Sequence, residues 1–305
     1  MSHWFYTIIG CGGRAALLHR RCSVISIREI NSNQQPSRQT AETKEKTMNS
    51  SNKQNPKSFK YSVAALAAGA LLFAGALPLR AQQPSGVAPP DSSPGGQTYP
   101  VWAGAWWQWF MQLPLTNSAG FVHPGIDAGQ AAFDVTEGQT GDVWFLAAPF
   151  GTVTRSATIP SGKSLFFALL NAEESSLEGF ATQQDQASTA TFFANHIVDL
   201  FCEVDGKLVH RLSSFRFVNP QISFFAPCPC WIFKCVPNSR PAQPPAQACG
   251  PGTSTGDGFY IFLDASGLGS GEHTIHYGGA FLFTLKNDGF DLYLPLDMTY
   301  HLTVQ

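Results

Sequence analysis

The residues in this sequence best suited to acid–base chemistry flank its apolar runs. His123 and Asp127 lie in FVHPGIDAGQ, and Asn171, Glu173 and Glu174 follow the run LFFALL. A carboxylate pair with an imidazole can move protons once a fold brings them together, and loops at one end of a rigid scaffold are where such sites are built. Spacing alone brings none of these residues together, and adjacent glutamates are ordinarily a solvated turn. EHTIHY, with Glu272, His273 and His276, imitates a zinc-protease signature. That signature needs histidines at i and i+4 of a helix with the glutamate directly after the first. Here the histidines are three apart, the glutamate comes before them, and the segment is strand-like, which sends the two rings to opposite faces. SGKS at 161–164 has Ala157 where a phosphate-binding loop needs its first glycine. SGLGSG at 266–271 has Leu268 where a nucleophile elbow needs a glycine, so Ser270 is a turn residue. No catalytic residue, metal or cofactor is therefore assigned. The candidates for contact with a ligand are Trp107, His123, Asp127, Asn171, Glu173 and Glu174.

Cysteines give a second kind of chemistry. Five follow residue 81: Cys202, Cys228, Cys230, Cys235 and Cys249, the last four within PCPCWIFKCVPNSRPAQPPAQACGPG. A zinc site is the sharper alternative, but C-x-C-x4-C-x13-C is not a zinc-ribbon spacing. Disulfides in an oxidising compartment fit better. Cys228 and Cys230 are too close to pair easily, so each is expected to join Cys235 or Cys249. Cys202, in an apolar strand, is expected as a buried thiol.

Positioning these groups requires elements, and the hydrophobic periods supply them. In YPVWAGAWWQWFMQLP, residues 99–114, Trp102, Trp106, Trp109, Phe110 and Leu113 recur at helical spacing between Pro100 and Pro114. Trp107 lies off that stripe, and of the aromatics here it is the candidate to face a ligand, although packing is the more ordinary state of such a ring. Burial under a loop is its other state. A second helix is expected over about 183–199, with Thr182 and Asp185 forming a cap and Phe193, Ile197 and Leu200 spaced for a helix. GDVWFLAAP, KSLFFALLN, SFRFVNPQISFFAP, DGFYIFLD, EHTIHYGGAFLFTL and FDLYLPLDMTYHLTV are strand-like. LFCEVDGKLVHRL predicts a hairpin turning at Asp205–Gly206. Turn-punctuated strands with only two helices predict a mainly-β domain, a two-sheet sandwich or jelly roll, over residues 99–305.

Charge is divided between two unlike pieces. Residues 1–81 hold 11 basic and 3 acidic residues; residues 82–305 hold 8 and 18, a formal charge of −10. An acidic domain without a basic stripe excludes nucleic acid as a partner. From Met48, a Lys-bearing segment leads into an apolar run of roughly 16 residues, shorter than the ~20 of a membrane span, and then Pro78 and Ala81. This order predicts a signal peptide over 48–81, cleaved near Ala81–Gln82, and no membrane span after cleavage. Residues 1–47 are expected to be an upstream extension, with Met48 as the initiator. Residues 82–98, rich in Pro, Gly and Ser, are expected as a flexible linker.

In combination, WAGAWWQWFMQLP, GQTGDVWFLAAPFG, IPSGKSLFFALLN, SGEHTIHYGGA and MTYHLTV resemble a group of exported bacterial proteins of unknown function, in which an aromatic-rich helix precedes a β-sandwich. The resemblance spans most of residues 99–305 and implies export and that fold, but no catalytic residues. It also implies a cysteine on either side of the VWFLA strand, whereas this chain has none between Gln82 and Leu200. The expected function is a non-enzymatic binding or envelope-associated domain, secreted or periplasmic, with a glycan or an envelope component as partner. The alternative is an exported hydrolase using carboxylate and histidine chemistry near His123 and Glu173.

Overall fold

A computed structural model describes residues 83–126, 133–228, 231–235 and 249–305, with the side chains of residues 234 and 235 excepted. Two β-sheets pack face to face, as expected. The first is ordered β1 (Val143–Leu146), β3 (Ser164–Ser175), β8 (Gly250–Leu263) and β6 (Arg216–Val218), with β7 (Ile222–Ala226) also paired to β8. The second is ordered β2 (Gly151–Ile159), β10 (Leu292–Val304), β9 (Gly271–Phe283), β4 (Ile197–Val204) and β5 (Lys207–Leu208). Most pairs are antiparallel, but β1–β3 and β2–β10 run parallel, which the sequence pattern did not reveal. Phe167 of the first sheet meets Tyr277 of the second at 4.9 Å between ring centroids, inside the sandwich.

Helix α1 (Tyr99–Gln112) covers the outer face of the first sheet. Its stripe docks there as the spacing predicted: Trp106 donates to the Leu146 carbonyl, and Trp102 lies 5.9 Å from Phe262. Each such aromatic removes roughly 150–250 Å² from water. Trp107 does not face solvent. It is buried with the stripe, because β7 and residues 231–233 cover the side of the helix that the period left open.

Helix α2 ends at Ala194, five residues before its expected end. Ile197–Val204 instead pairs with β9, so the spacing of Phe193, Ile197 and Leu200 overstated the helix. Its start is as read: the Thr182 hydroxyl accepts the Asp185 amide at 3.1 Å. The β4–β5 hairpin turns at Asp205–Gly206, both with positive φ as a two-residue turn of this kind requires. Two further one-turn helices are α3 (Ile232–Cys235) and α4 (Leu285–Asp288).

Residues 83–98 were expected to be a linker without a core. They are instead held on the domain: Val87 is buried and bridges to Leu263, and Gln83 makes two bonds to the backbone of His210. Composition overstated their freedom, because one buried valine and a run of backbone bonds suffice to hold a Pro-rich segment.

Candidate functional site

Strand β3 contains a β-bulge between Ala168 and Leu170. Before it, even-numbered residues face α1: Phe166 stacks on Tyr260 at 5.5 Å. An unbroken strand would send Asn171 and Glu173 into the sandwich beside Phe167. The extra residue reverses the alternation, so that they face α1. There Asn171 lies opposite Gly258 and Glu173 opposite Gly256.

On this face β8 presents Gly252, Ser254, Gly256 and Gly258, a floor of small side chains. Aromatic rings occupy the space above it. A methyl added at Gly256 would come within 2.3 Å of the Trp107 indole nitrogen, and one at Gly252 within 2.8 Å of the Phe224 ring. Between those two rings, the Ser254 hydroxyl donates to Oε2 of Glu173 in a very short hydrogen bond. Trp231 lies 5.4 Å from Phe224 and 5.3 Å from Phe233, and Phe233 lies 6.5 Å from Trp107. Phe224, Trp231, Phe233 and Trp107 thus form a chain of neighbouring rings whose two ends stand on either side of the Ser254–Glu173 pair.

Two buried polar atoms on these residues lack an ordinary donor or acceptor: Oε1 of Glu173, whose carboxyl is hydrogen-bonded to that of Glu178, and the indole nitrogen of Trp231. The residues carrying them are 9% and 1% exposed. Unmatched buried polar atoms are uncommon in folded proteins and each needs a reason. Burial raises the Glu173 pKa well above the ordinary carboxylate range. The neighbouring Glu178 and Glu174 charges and a hydrogen bond to the Glu178 carboxyl add to this, and the Ser254 hydrogen bond opposes it. At the margin, Asn171 and Trp107 both donate to the Tyr260 hydroxyl, at 3.3 and 3.0 Å. Asn171 and Glu178 are only half-buried.

The structure therefore gathers Trp107, Asn171 and Glu173, with Glu174 next in β3 on the opposite face. It does not bring His123 to them. His123 lies on the far side of Phe110, whose ring is 4.5 Å from the imidazole and 5.7 Å from Trp107. Its Nε2 is 2.8 Å from the Phe110 carbonyl and its Nδ1 is 3.0 Å from the Gly125 amide. That network assigns the proton to Nε2, which donates to the carbonyl, while Nδ1 accepts. Burial lowers the His123 pKa to about 4, with the nearby Arg155 charge acting in the same direction and the Phe110 carbonyl opposing. A neutral ring with both nitrogens bonded to the backbone holds a loop. Asp127 lies outside the described residues.

Cys228 and Cys249 form a disulfide, one of the expected pairings, and it ties the start of the Trp231 segment to β8. Cys230 and the side chain of Cys235 lie outside the description. Cys202 is a free buried thiol. Among the described residues, no group of three His, Cys, Asp or Glu side chains is arranged to hold a metal.

Sequence reasoning missed a second polar constellation. On the outer face of the second sheet, His276 bonds Asp297 at 2.8 Å, and both side chains are more than a third exposed. Phe201 lies 4.8 Å from the His276 ring, and Glu203 is directly opposite His276 on β4. The signal was the i, i+2 pattern of β9 and β10, but it pairs residues only once the strand register is known. His273 points to the opposite face, as expected, and bonds Asp205.

No protein-family model and no curated protein matches this chain. Among solved structures, the solution structure of amebosin is 11% identical over 52% of this chain and 100% of that one. Its TM-score is 0.13, too low to bear on fold or function.

Proposed function

We propose that this chain is an exported, non-enzymatic binding domain whose ligand is held in the Glu173 chamber. The observation that carries this reading is the buried Glu173 carboxyl, with one oxygen that meets no N–H or hydroxyl, set between the two ends of a chain of four aromatic rings. Ligand sites combine apolar walls with a few convergent polar groups. Hydrolysis near His123 and Glu173 would need the imidazole as base, and both its nitrogens are committed to backbone groups. Export is supported by the leader-like segment after Met48 and by the Cys228–Cys249 disulfide, a bond that persists in oxidising compartments. Among the described residues, no helix is long and apolar enough to cross a membrane.

The test is a thermal-shift screen of small molecules and soluble envelope fragments against the full chain and its Glu173→Leu variant. The reading expects a compound that stabilises the wild type, has no effect on the variant, and is recovered unchanged after incubation. A screen without such a compound, or one whose hits act equally on the variant, would sink it.

A second reading is favoured by the His276–Asp297 pair beside Phe201. An aromatic ring next to paired polar side chains on an open sheet suits the apolar faces and hydroxyls of a sugar, and would make the outer face a glycan-binding surface. A glycan array and a cell-wall pulldown, each repeated with Asp297→Ala, test it. Equal retention of both proteins would exclude that face.

A further inference from the structure

We propose that the Glu173 chamber binds a small organic cation, an alkylated ammonium group of the choline type, with the carboxylate as its counter-charge and the four rings as its walls. This rests on the reading of the chamber as the ligand site, and adds the class of ligand.

Geometry comes first. Cations are attracted to aromatic faces within about 6 Å of a ring centroid, and alkylated ammonium groups are commonly held in cages of several rings. Phe224 stands over Gly252 and Trp107 over Gly256, with the Ser254–Glu173 pair between them on the same strand face. The two glycines are four residues apart, roughly 13 Å along a strand. Trp231 and Phe233 link those two rings.

Charge comes next. Ser254 donates to one oxygen of Glu173, the other meets no N–H or hydroxyl, and the carboxyl is hydrogen-bonded to that of Glu178. A cation would take the place of the proton held between these two carboxyls and convert a costly buried acid into an ion pair. The unmatched Trp231 N–H is a donor and suits a hydroxyl, ether or phosphate oxygen on the same ligand. A choline-like molecule carries both features. The raised proton affinity of Glu173 adds a signature: the empty chamber holds a proton that the cation must expel, so binding tightens as pH rises.

The experiment is calorimetric titration of the full chain with choline chloride at acidic and mildly alkaline pH. Its neutral isostere 3,3-dimethylbutan-1-ol is run beside it, and phosphatidylcholine vesicles form a third arm. The expected result is saturable choline binding that strengthens with pH and releases a proton, with no response to the isostere. Glu173→Gln should weaken it by about tenfold or more, the loss expected when a charged hydrogen-bond partner is removed. Trp231→Phe, which keeps a ring and removes only the N–H, should change it less. Binding to vesicles alone would assign the group to a lipid headgroup, and binding of free choline to a soluble ligand. Equal binding of choline and isostere, wild-type affinity in Glu173→Gln, or no saturation at millimolar choline with no response to vesicles would overturn the proposal. If the cation fails while a thermal-shift hit still depends on Glu173, the chamber stands as a site and only the ligand class falls.

Discussion

Two polar residues lie buried against helix α1, on opposite sides of Phe110 and Trp107, and they are treated in opposite ways. His123 is 1% exposed, and each ring nitrogen meets a backbone group of the matching kind. Its neighbour Arg155 is also buried. The guanidinium donates to the carbonyls of Pro124, Ala147 and Ile126 and lies 4.6 Å from the centre of the Phe133 ring. Glu173 is 9% exposed, yet one of its two oxygens meets no N–H or hydroxyl, and its carboxyl is paired with another acid, Glu178. The lesson is that burial of a polar group does not mark a site. A matched group braces the fold, and an unmatched one is where the fold leaves a place for something else.

The largest test of that contrast is His123→Ala. It leaves the Phe110 carbonyl and Gly125 amide without partners and opens a gap beside the Phe110 ring, so a loss of about 3–5 kcal/mol is expected in urea unfolding. A loss below about 1 kcal/mol would erase the distinction between the two corners.

Next is the pH dependence of stability, best measured in a Glu173→Gln background. The folded pKa of His123, about 4, lies below its unfolded value of 6.5. Its neutral form is favoured by folding, so its contribution is whole above pH 6.5 and is lost as pH falls towards 4. That loss amounts to about 3 kcal/mol at 1.36 kcal/mol per pKa unit. Glu173, with a raised pKa, acts with the opposite sign: below its ordinary range it costs nothing, and the cost grows as pH rises through its folded value. The wild type should therefore show a shallower acid slope than Glu173→Gln, and equal slopes would break the comparison.

Reduction of Cys228–Cys249 bears on the Glu173 side alone, since Trp231 follows three residues after Cys228. For a separation of 21 residues, the chain-entropy model gives a loss of about 3 kcal/mol at most, with native strain lowering the measured value. Unfolding with and without reductant measures it, and indole fluorescence should change because Trp231 loses its tether. The smallest effect belongs to Glu173→Gln itself. It keeps the Ser254 contact and removes the ionisable group, so stability at pH 8 should rise or change by less than about 1 kcal/mol. A large loss would mean that the carboxylate braces the fold as His123 does.

Much of this arrangement was legible beforehand. The aromatic stripe of α1 docks as its period implied, the Asp205–Gly206 turn forms, and the apolar runs become strands. Where the pattern misled, longer-range contacts decided. Ile197 and Leu200 fit a helix by spacing, but pairing with β9 draws them into β4. Trp107 is packed, the more ordinary outcome for a ring off the stripe, but periodicity describes a helix against one neighbour and could not say that β7 and residues 231–233 would cover it. Val87 holds a segment whose composition suggested a loose chain.

The sequence by itself determined most of the elements, the sandwich they form and the separation of His273 from His276, because each follows from local period and turn chemistry. It also singled out Asn171 and Glu173. Only the tertiary structure decided where those two point. The inserted residue in β3 turns them from the sandwich interior to the helix side, and bulges leave no mark in a single strand's alternation. The unmatched oxygen of Glu173 was likewise invisible in the sequence, because a missing partner is a property of packing among β7, β8, α1 and residues 231–233, which lie far apart along the chain.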